Sequence, residues 1–200
     1  MLNAAADMVL ALPAVVRPTH HARSTLILAS VATVRGLGRF DDYERALAPE
    51  QKDAILGALA GTWLPIEAAQ AHYAACDTLG FTAEQQVQAG RATFDAARAT
   101  LLGTAVRMAR GVGVTPWTML PHLQRFWERG FQGGAVQVER AGPKDAIVTL
   151  VECTVLSSPY FRNGLRGLVA ALCGLSSTRA YATERRTRRQ DAIEFRAQWA

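Results

Sequence analysis

The last third of the chain, from residue 133 onward, shows the clearest pattern of hydrophobic and polar positions. The two types alternate over residues 136–139, and an Ala-Gly-Pro-Lys-Asp segment at 141–145 separates them from the apolar run 146–151. A second alternation covers residues 193–199. Alternation with a period of two is typical of a half-buried strand, and Gly and Pro between two such runs indicate a turn. The pattern therefore predicts a hairpin and a closing strand.

A helix is predicted between these strands, over residues 159–172. Ser158 is suited to the N-cap and Pro159 to the first helical position. Apolar residues then recur at helical spacing and form one stripe that would cover the sheet. That stripe consists of Phe161, Leu165, Leu168, Val169 and Leu172. The C-terminal part is thus predicted as hairpin, helix and hairpin.

The first two thirds of the chain are predicted to be mostly helical. The β-branched, apolar segment 25–34 is interpreted as a strand, with a helix as the alternative. Thr82 and Gln85 fit a capping box at the start of the longest helix. Helices are predicted over 40–47, 49–59, 66–79 and 82–110, the last stopped by Gly111-Val112-Gly113, and again from Thr115 onward.

These elements predict an α+β fold in which a helical N-terminal part packs on a small antiparallel sheet of four or five strands. We expect residues 1–24 to form a poorly defined N-terminal arm and residues 25–200 to form a single α+β domain. The length of 200 residues is enough for a sizeable core, and half of the residues are hydrophobic, which argues against disorder.

Composition also indicates the compartment. No run of 18 apolar residues predicts a membrane span, and the apolar start of the chain lacks the basic segment of a secretory signal. The three cysteines, Cys76, Cys153 and Cys173, are odd in number and widely spaced. Reduced thiols are the simplest interpretation, so we expect a cytoplasmic protein.

The positive charge of the chain is concentrated near its C-terminus. The net charge is +5, and residues 178–199 carry six arginines against three carboxylates. The segment 184–190, with Arg185, Arg186, Arg188 and Arg189, lies between two strand-like runs. A solvated hairpin tip that protects a sheet edge is favoured over a nucleic-acid contact, because no aromatic residues are interleaved. We expect no specific nucleic-acid partner.

Catalytic and metal-binding motifs are weak. His72 and Cys76 are four residues apart and would share a helix face, but no third metal ligand is near them in sequence, so a core pair is favoured. Gly36-Leu37-Gly38 lacks the third glycine of a dinucleotide fingerprint, and no serine lies in a Gly-x-Ser-x-Gly elbow. We therefore expect neither a metal nor catalysis.

The helix 159–172 carries two further features. Gly164, Gly167 and Ala171 line a side where a second backbone or a flat ligand could approach closely. Arg162 and Arg166 are one turn apart and are candidates for an anion contact, although their side chains could equally extend into water.

The order of elements resembles the fold shared by haem–nitric-oxide-binding domains, 4-vinyl-reductase-type small-molecule-binding domains and transport-particle subunits of vesicle tethering. More closely, the chain resembles a family of paralogous proteins of this length and of unknown function, typical of myxobacteria. The segments that carry the resemblance are Thr62-Trp63-Leu64-Pro65-Ile66, Gly90-Arg91, Leu101-Leu102-Gly103, Thr115-Pro116-Trp117, Gly133-Gly134 and residues 158–167.

The resemblance also bears on cofactors. The haem branch is marked by a Tyr-x-Ser-x-Arg clamp and a proximal histidine, and Tyr160-Phe161-Arg162-Asn163-Gly164 does not match that clamp. The vinyl-reductase-type branch can carry a cysteine-rich zinc site, of which Cys153 and Cys173 would be only a fragment. We therefore expect no cofactor.

Together these observations favour a non-enzymatic sensory or interaction module that forms a homodimer. Its ligand would be a hydrophobic small molecule in an apolar pocket between the helices and the sheet. The candidate lining residues are Trp63, Trp117, Phe126, Trp127, Tyr160 and Phe161, each of which could equally belong to the core. The alternative is a scaffold subunit that binds a protein partner without any small ligand.

Overall fold

A computed structural model of the chain describes residues 7–101, 114–187, 189 and 191–200. Its helices are α1 (Ser24–Gly36), α2 (Phe40–Ala46), α3 (Pro49–Leu56), α4 (Ile66–Asp77), α5 (Ala83–Leu101), α6 (Pro116–Met119), α7 (Leu123–Gly130) and α8 (Pro159–Gly174), with a 3₁₀ turn at Leu120–His122. Its strands are β1 (Asp7–Leu10), β2 (His21–Arg23), β3 (Trp63–Pro65), β4 (Phe131–Gln132), β5 (Ala135–Gly142), β6 (Asp145–Val151), β7 (Ala180–Arg185) and β8 (Ala192–Trp199).

The strands form two antiparallel sheets. The larger has five strands in the order β1-β5-β6-β8-β7, and the smaller has three in the order β3-β2-β4. The inner face of the larger sheet packs against the helices, and the main hydrophobic core lies between them. The predicted α+β fold, with a helical N-terminal part on a small antiparallel sheet, is confirmed.

The predicted hairpin, helix and hairpin are also present. β5 and β6 pair from Ala135 with Val151 to Gly142 with Asp145, so the turn falls where Gly and Pro predicted it. The Ser158 side chain accepts a hydrogen bond from the Phe161 N–H at 3.1 Å, as an N-cap does.

The strand interpretation of residues 25–34 is wrong, because this segment lies within α1. β-Branched residues favour strands only weakly, and burial in a tertiary context overrides that preference. The buried positions of α1 are Ser24, Ile27, Ser30, Val31 and Val34, spaced three and four residues apart as one helix face requires. The helix alternative is the correct one.

Residues 7–24, which the sequence analysis assigns to an N-terminal arm, contribute both β1 and β2. Leu12 and Val16 pack on the outer face of the larger sheet, against a small apolar cluster of Ala135, Val151 and Ala192. The backbone at residues 17–19 passes against Gly133 and Gly134, whose φ values are +82° and +69°. Only glycine adopts such φ values readily, and because Gly133 has no Cβ, the backbone at Pro18 can lie directly against it.

Helix α5 begins at the predicted capping box. The Thr82 N–H donates to Gln85 Oε1 at 2.9 Å, and the Gln85 N–H donates to Thr82 Oγ1 at 3.2 Å. The predicted end of this helix near residue 110 and its glycine stop lie outside the described residues. α5 packs directly against α8 through glycines of both helices, and this contact forms one wall of the site below.

Candidate functional site

A cavity of about 140 Å³ lies between the helices and the inner face of the larger sheet. Its lining is almost entirely apolar. The helices contribute Leu26 and Ser30 of α1, Tyr73 of α4, Gly90, Thr93 and Phe94 of α5, four residues of α7, and a long stripe of α8. The sheets contribute Phe131, Val136, Val148, Leu150 and Phe195.

Four of the six predicted pocket residues line this cavity. Phe126 and Trp127 come from α7, while Tyr160 and Phe161 come from the first turn of α8. The Trp127 ring stacks on Phe131 with centroids 4.3 Å apart, and its Nε1–H donates to the Gly133 carbonyl at 2.7 Å. These contacts fix the indole in one orientation in the cavity wall.

The other two tryptophans lie away from the cavity. Trp63 is on β3, where the Arg23 guanidinium stacks 3.9 Å above its ring. Trp117 makes an edge contact with Trp199 at 4.9 Å between centroids and donates from Nε1 to the Pro143 carbonyl at 2.6 Å. The aromatic character of a residue did not show from the sequence whether its side chain lines the cavity. The two tryptophans outside the cavity and the four aromatic residues that line it are all half-buried or buried.

The start of α8 is held by two polar contacts that place Tyr160 and Phe161. Asp77, at the end of α4, accepts a hydrogen bond from the Tyr160 N–H at 2.7 Å. Ser158 accepts one from the Phe161 N–H. A carboxylate and a hydroxyl at a helix N-terminus satisfy donors that have no partner within the helix, and the carboxylate also complements the helix dipole. Both aromatic side chains are therefore positioned by α4 and α8 together.

A buried chain of four polar side chains runs from the helical core to the cavity wall. The Tyr43 hydroxyl lies 2.9 Å from His72 Nδ1, and His72 Nε2 lies 3.0 Å from Ser30 Oγ. Ser30 Oγ lies 3.0 Å from the Tyr160 hydroxyl. His72 and Tyr43 are fully buried, and Ser30 and Tyr160 are buried where they line the cavity. We call these four residues the polar chain.

Burial controls the charge of the polar chain. It lowers the pKa of His72 to about 3, because the charged imidazolium would lose its hydration without gaining a carboxylate partner. Burial likewise raises the pKa of the Tyr43 and Tyr160 hydroxyls above their ordinary range. All four members are therefore neutral at physiological pH, and each hydrogen bond links uncharged groups.

The predicted pair of His72 and Cys76 is part of this buried region. Cys76 Sγ lies 3.9 Å from His72 Nε2, and burial raises the pKa of the thiol. Burial also raises the pKa of Cys153 and of Cys173 to about 12. All three thiols are free and protonated, and no cluster of three or more His, Cys, Asp or Glu side chains suited to a metal occurs among the described residues.

The predicted anion contacts, Arg162 and Arg166, lie on the outer side of α8, away from the cavity. Arg162 donates to the Leu156 carbonyl at 3.1 Å, and its Nε lies 3.7 Å from the Glu184 carboxylate. The acidic neighbour already balances the charge of Arg162. Arg166 is half-buried and forms no ion pair within the described part of the chain.

The arginine-rich segment joins β7 and β8, whose last pair is Arg185 with Glu194. Arg189 donates twice to the Asp191 carboxylate, at 3.1 and 2.6 Å, and the pair is exposed. Arg188 and Gln190 lie outside the described residues. The described arginines of this segment are exposed side chains at the end of a hairpin, so exposed pairs here add little stability.

Sequence reasoning missed Ser30 and Tyr43 as functional candidates and treated His72 only as one of a pair. The four members of the polar chain are far apart in sequence and come from α1, α2, α4 and α8. No local spacing connects them. The one available signal is a polar Ser30 within the apolar face of α1, which would need a buried partner.

Comparisons with known proteins place this geometry in context. The family model described as "Protein of unknown function (DUF2378)" matches residues 62–200. A comparison with the curated proteins found no match. Three solved structures share the fold with TM-scores of 0.59 to 0.62. This agrees with the resemblance inferred from the sequence.

The first of these structures is a Fe(II) unliganded H-NOX protein from K. algicida, with a TM-score of 0.62 and 10% identity over 89% of this chain and 96% of that one. The second is an oxygen-binding H-NOX domain related to soluble guanylate cyclases, with 0.59 and 11% identity over 88% and 94%. The third, from work on haem distortion in the H-NOX family, has 0.60 and 12% identity over the same shares. At this identity the likeness shows the fold alone.

Proposed function

The chain belongs to the DUF2378 family, and we propose that it is a non-enzymatic sensory module that binds a small apolar molecule in the cavity between α1, α5, α7, α8 and the sheet. The family itself has no established function, so the proposal rests on the geometry of this chain. The fold shared with H-NOX domains supports it, because the oxygen-binding H-NOX domain named above holds a ligand within the same architecture.

The observation that carries the proposal is the cavity itself. Protein interiors pack as densely as organic crystals and rarely keep voids larger than a water molecule. The site is partly open to solvent, so part of its apolar lining is exposed to water, and a bound apolar ligand would gain free energy by covering that lining.

The size and lining of the cavity limit the ligand. An apolar cavity of about 150 Å³ is known to stay dry and to accept benzene. The present cavity is of the same size and is lined by aromatic and aliphatic side chains. We therefore propose a ligand of about that size, such as a single aromatic ring or the end of an acyl chain.

Haem, which is named in the work on the H-NOX family cited above, does not fit the described residues. All four histidines of the chain are described, and none lines the cavity. Both ring nitrogens of His72 are already hydrogen-bonded, to Tyr43 and Ser30. The described lining also contains no cysteine, methionine or tyrosinate, which are the other side chains that ligate haem iron.

Ser30 and His72 have the spacing of a nucleophile and its base, but their environment does not support catalysis. A general base works best when its pKa lies near the operating pH, and that of His72 is near 3. In addition, a tyrosine and not a carboxylate contacts the other ring nitrogen. These observations support the non-enzymatic part of the proposal.

Two further parts of the proposal concern location and assembly. Three free, buried thiols are typical of a protein from a reducing compartment, which supports a cytoplasmic location. No helix in the described ranges is long and apolar enough to cross a membrane. β7 is an edge strand with Tyr181 56% exposed, which supports association into a homodimer at that edge.

Toluene binding tests the proposal. Toluene at ten times its Kd should stabilise the wild-type chain by about 1.4 kcal/mol and raise its Tm by about 3–6 °C, because only the folded state holds the cavity. In Val148→Phe a phenyl ring should occupy the cavity, since Val148 is buried in its wall. That variant should show no Tm shift with toluene.

The matched control is Thr149→Phe, which adds the same ring on the opposite, half-buried face of β6. It should keep the toluene response of the wild type. Native mass spectrometry of the freshly purified wild type provides a second measurement, in which a retained small-molecule mass absent from Val148→Phe is expected. If the folded wild type neither binds toluene nor retains any small molecule, the proposal is wrong. The scaffold subunit that binds a protein partner then remains as the alternative.

A further inference from the structure

We propose that the hydroxyl groups of Ser30 and Tyr160, which are hydrogen-bonded to each other, form the polar end of the cavity; we call this end the hydrogen-bonding pole. This pole selects a neutral ligand of the size of one ring that carries one hydroxyl or carbonyl group. This inference rests on the proposed function, since it specifies the ligand class for the same cavity. Ser30 and Tyr160 both belong to the lining, and their oxygens are 3.0 Å apart.

The first argument concerns hydrogen-bonding capacity. A serine hydroxyl has one proton and two lone pairs. Ser30 Oγ forms one hydrogen bond with His72 Nε2 and one with the Tyr160 hydroxyl. Since one of these two bonds uses the serine proton, one lone pair of Ser30 Oγ has no partner among these groups. The Tyr160 hydroxyl is bonded to Ser30 and also lies near the Cys76 thiol. A thiol is a weak donor and acceptor, so a ligand oxygen would replace it favourably.

The second argument concerns direction. The polar chain can be ordered in two ways, because a neutral imidazole carries its proton on either ring nitrogen. With Nε2 protonated, His72 donates to Ser30, Ser30 donates to Tyr160, and the Tyr160 proton is free for a ligand acceptor. With Nδ1 protonated, the donors reverse, and Tyr160 offers a lone pair to a ligand donor. The same pole thus accommodates a carbonyl or a hydroxyl.

The third argument concerns charge. The described lining contains no carboxylate and no cationic side chain, so an ion would enter without a counter-charge. Transfer of an unpaired ion into an apolar site is strongly unfavourable. The cavity therefore selects against anions and cations, and a single polar group at one end of an apolar ring is the chemistry that it can satisfy.

A comparison of phenol with toluene tests the inference, because the two differ by one hydroxyl in place of one methyl group. A wholly apolar site prefers toluene, since phenol must give up hydrogen bonds to water. We expect the wild type to bind phenol about 3- to 10-fold more tightly than toluene, the ratio of Kd values that one neutral hydrogen bond supplies. Isothermal titration of both probes measures the ratio.

Tyr160→Phe and Ser30→Ala should each lower that ratio to one or below, through weaker phenol binding with little change for toluene. Thr93→Val is the matched control: it removes another hydroxyl from the lining without touching the polar chain, and it should keep the wild-type ratio. If the wild type binds toluene at least as tightly as phenol, or if Thr93→Val alone removes the preference, the inference is wrong while the proposed function stands. If the folded wild type binds neither probe and retains no small molecule, both are wrong.

Discussion

The fully buried residue His72 is neutral because it is buried and not because a partner removes its charge. Its neighbours are the Tyr43 and Ser30 hydroxyls, the Cys76 thiol and the Tyr73 and Tyr160 rings. None of them carries a charge that would stabilise an imidazolium. Protonation of His72 is therefore coupled to unfolding.

That coupling predicts a loss of stability in acid. Above pH 6.5 the His72 imidazole is neutral in the folded and the unfolded state, so it does not change the free energy of unfolding with pH. Below pH 6.5 the His72 imidazole is protonated in the unfolded chain, whereas in the folded state it stays neutral until the pH reaches about 3. The free energy of unfolding should then fall by up to about 1.4 kcal/mol per pH unit between those limits.

Urea unfolding at pH 7.5, 6, 5 and 4 measures this dependence. His72→Gln keeps an amide that can contact Tyr43 and Ser30 but does not titrate, so its pH dependence should be shallower than that of the wild type. Parallel curves for the wild type and His72→Gln would show that His72 is protonated in the folded state.

At the scale of elements, the contact between α5 and α8 depends on two glycines. A Cβ at Gly90 would overlap the backbone carbonyl of Gly164, and a Cβ at Gly167 would overlap that of Val87. A Cβ at Gly164 would instead lie 3.9 Å from the nearest atom, which is ordinary van der Waals contact. The sequence analysis identified this side of α8 as a place for a second backbone or a flat ligand, and the second backbone occupies it.

The glycines therefore predict opposite effects for the same substitution on one helix. Gly167→Ala should destabilise the chain by about 1–3 kcal/mol, because the helices must separate to admit the methyl group. Gly164→Ala should be neutral or stabilise by up to about 1 kcal/mol, since alanine is the better helix former. Thermal unfolding of both variants measures the difference. Equal losses of stability would contradict the described packing of α5 on α8.

Elements with local signals could be predicted from the sequence, and those without could not. The β5–β6 hairpin, the Ser158 cap and the Thr82 capping box each depend on residues within a few positions of one another. The three-stranded sheet has strands of two or three residues, too short for any periodicity to appear. The polar chain joins four helices and has no local signature.

At the scale of the whole molecule, the architecture resembles that of H-NOX domains although the described cavity lacks a haem ligand. Fold and function separate readily, since function depends on particular side chains placed on a shared scaffold. Four of the six aromatic residues that the sequence predicted for the pocket line the cavity, and they lie on α7 and α8. Their role in binding a ligand stays a prediction.

The absence of a haem ligand among the described residues of the lining predicts a colourless protein. Chain purified from cells supplied with a haem precursor should show no Soret band, because the histidines lie elsewhere or are already hydrogen-bonded. Visible absorption spectroscopy measures this directly. A band of near-stoichiometric intensity that disappears in His72→Gln or His122→Ala would contradict the prediction and identify the ligand.

The central position of β2 in the small sheet has a consequence for biosynthesis. β2 pairs on one side with β3 and on the other with β4, so Ala22 finds its partner Phe131 about 110 residues later in the chain. At about 5–20 residues per second, a ribosome needs roughly 5–20 s to make the intervening segment. During that time β2 has an open edge, and the order of translation delays completion of the small sheet until β4 has emerged.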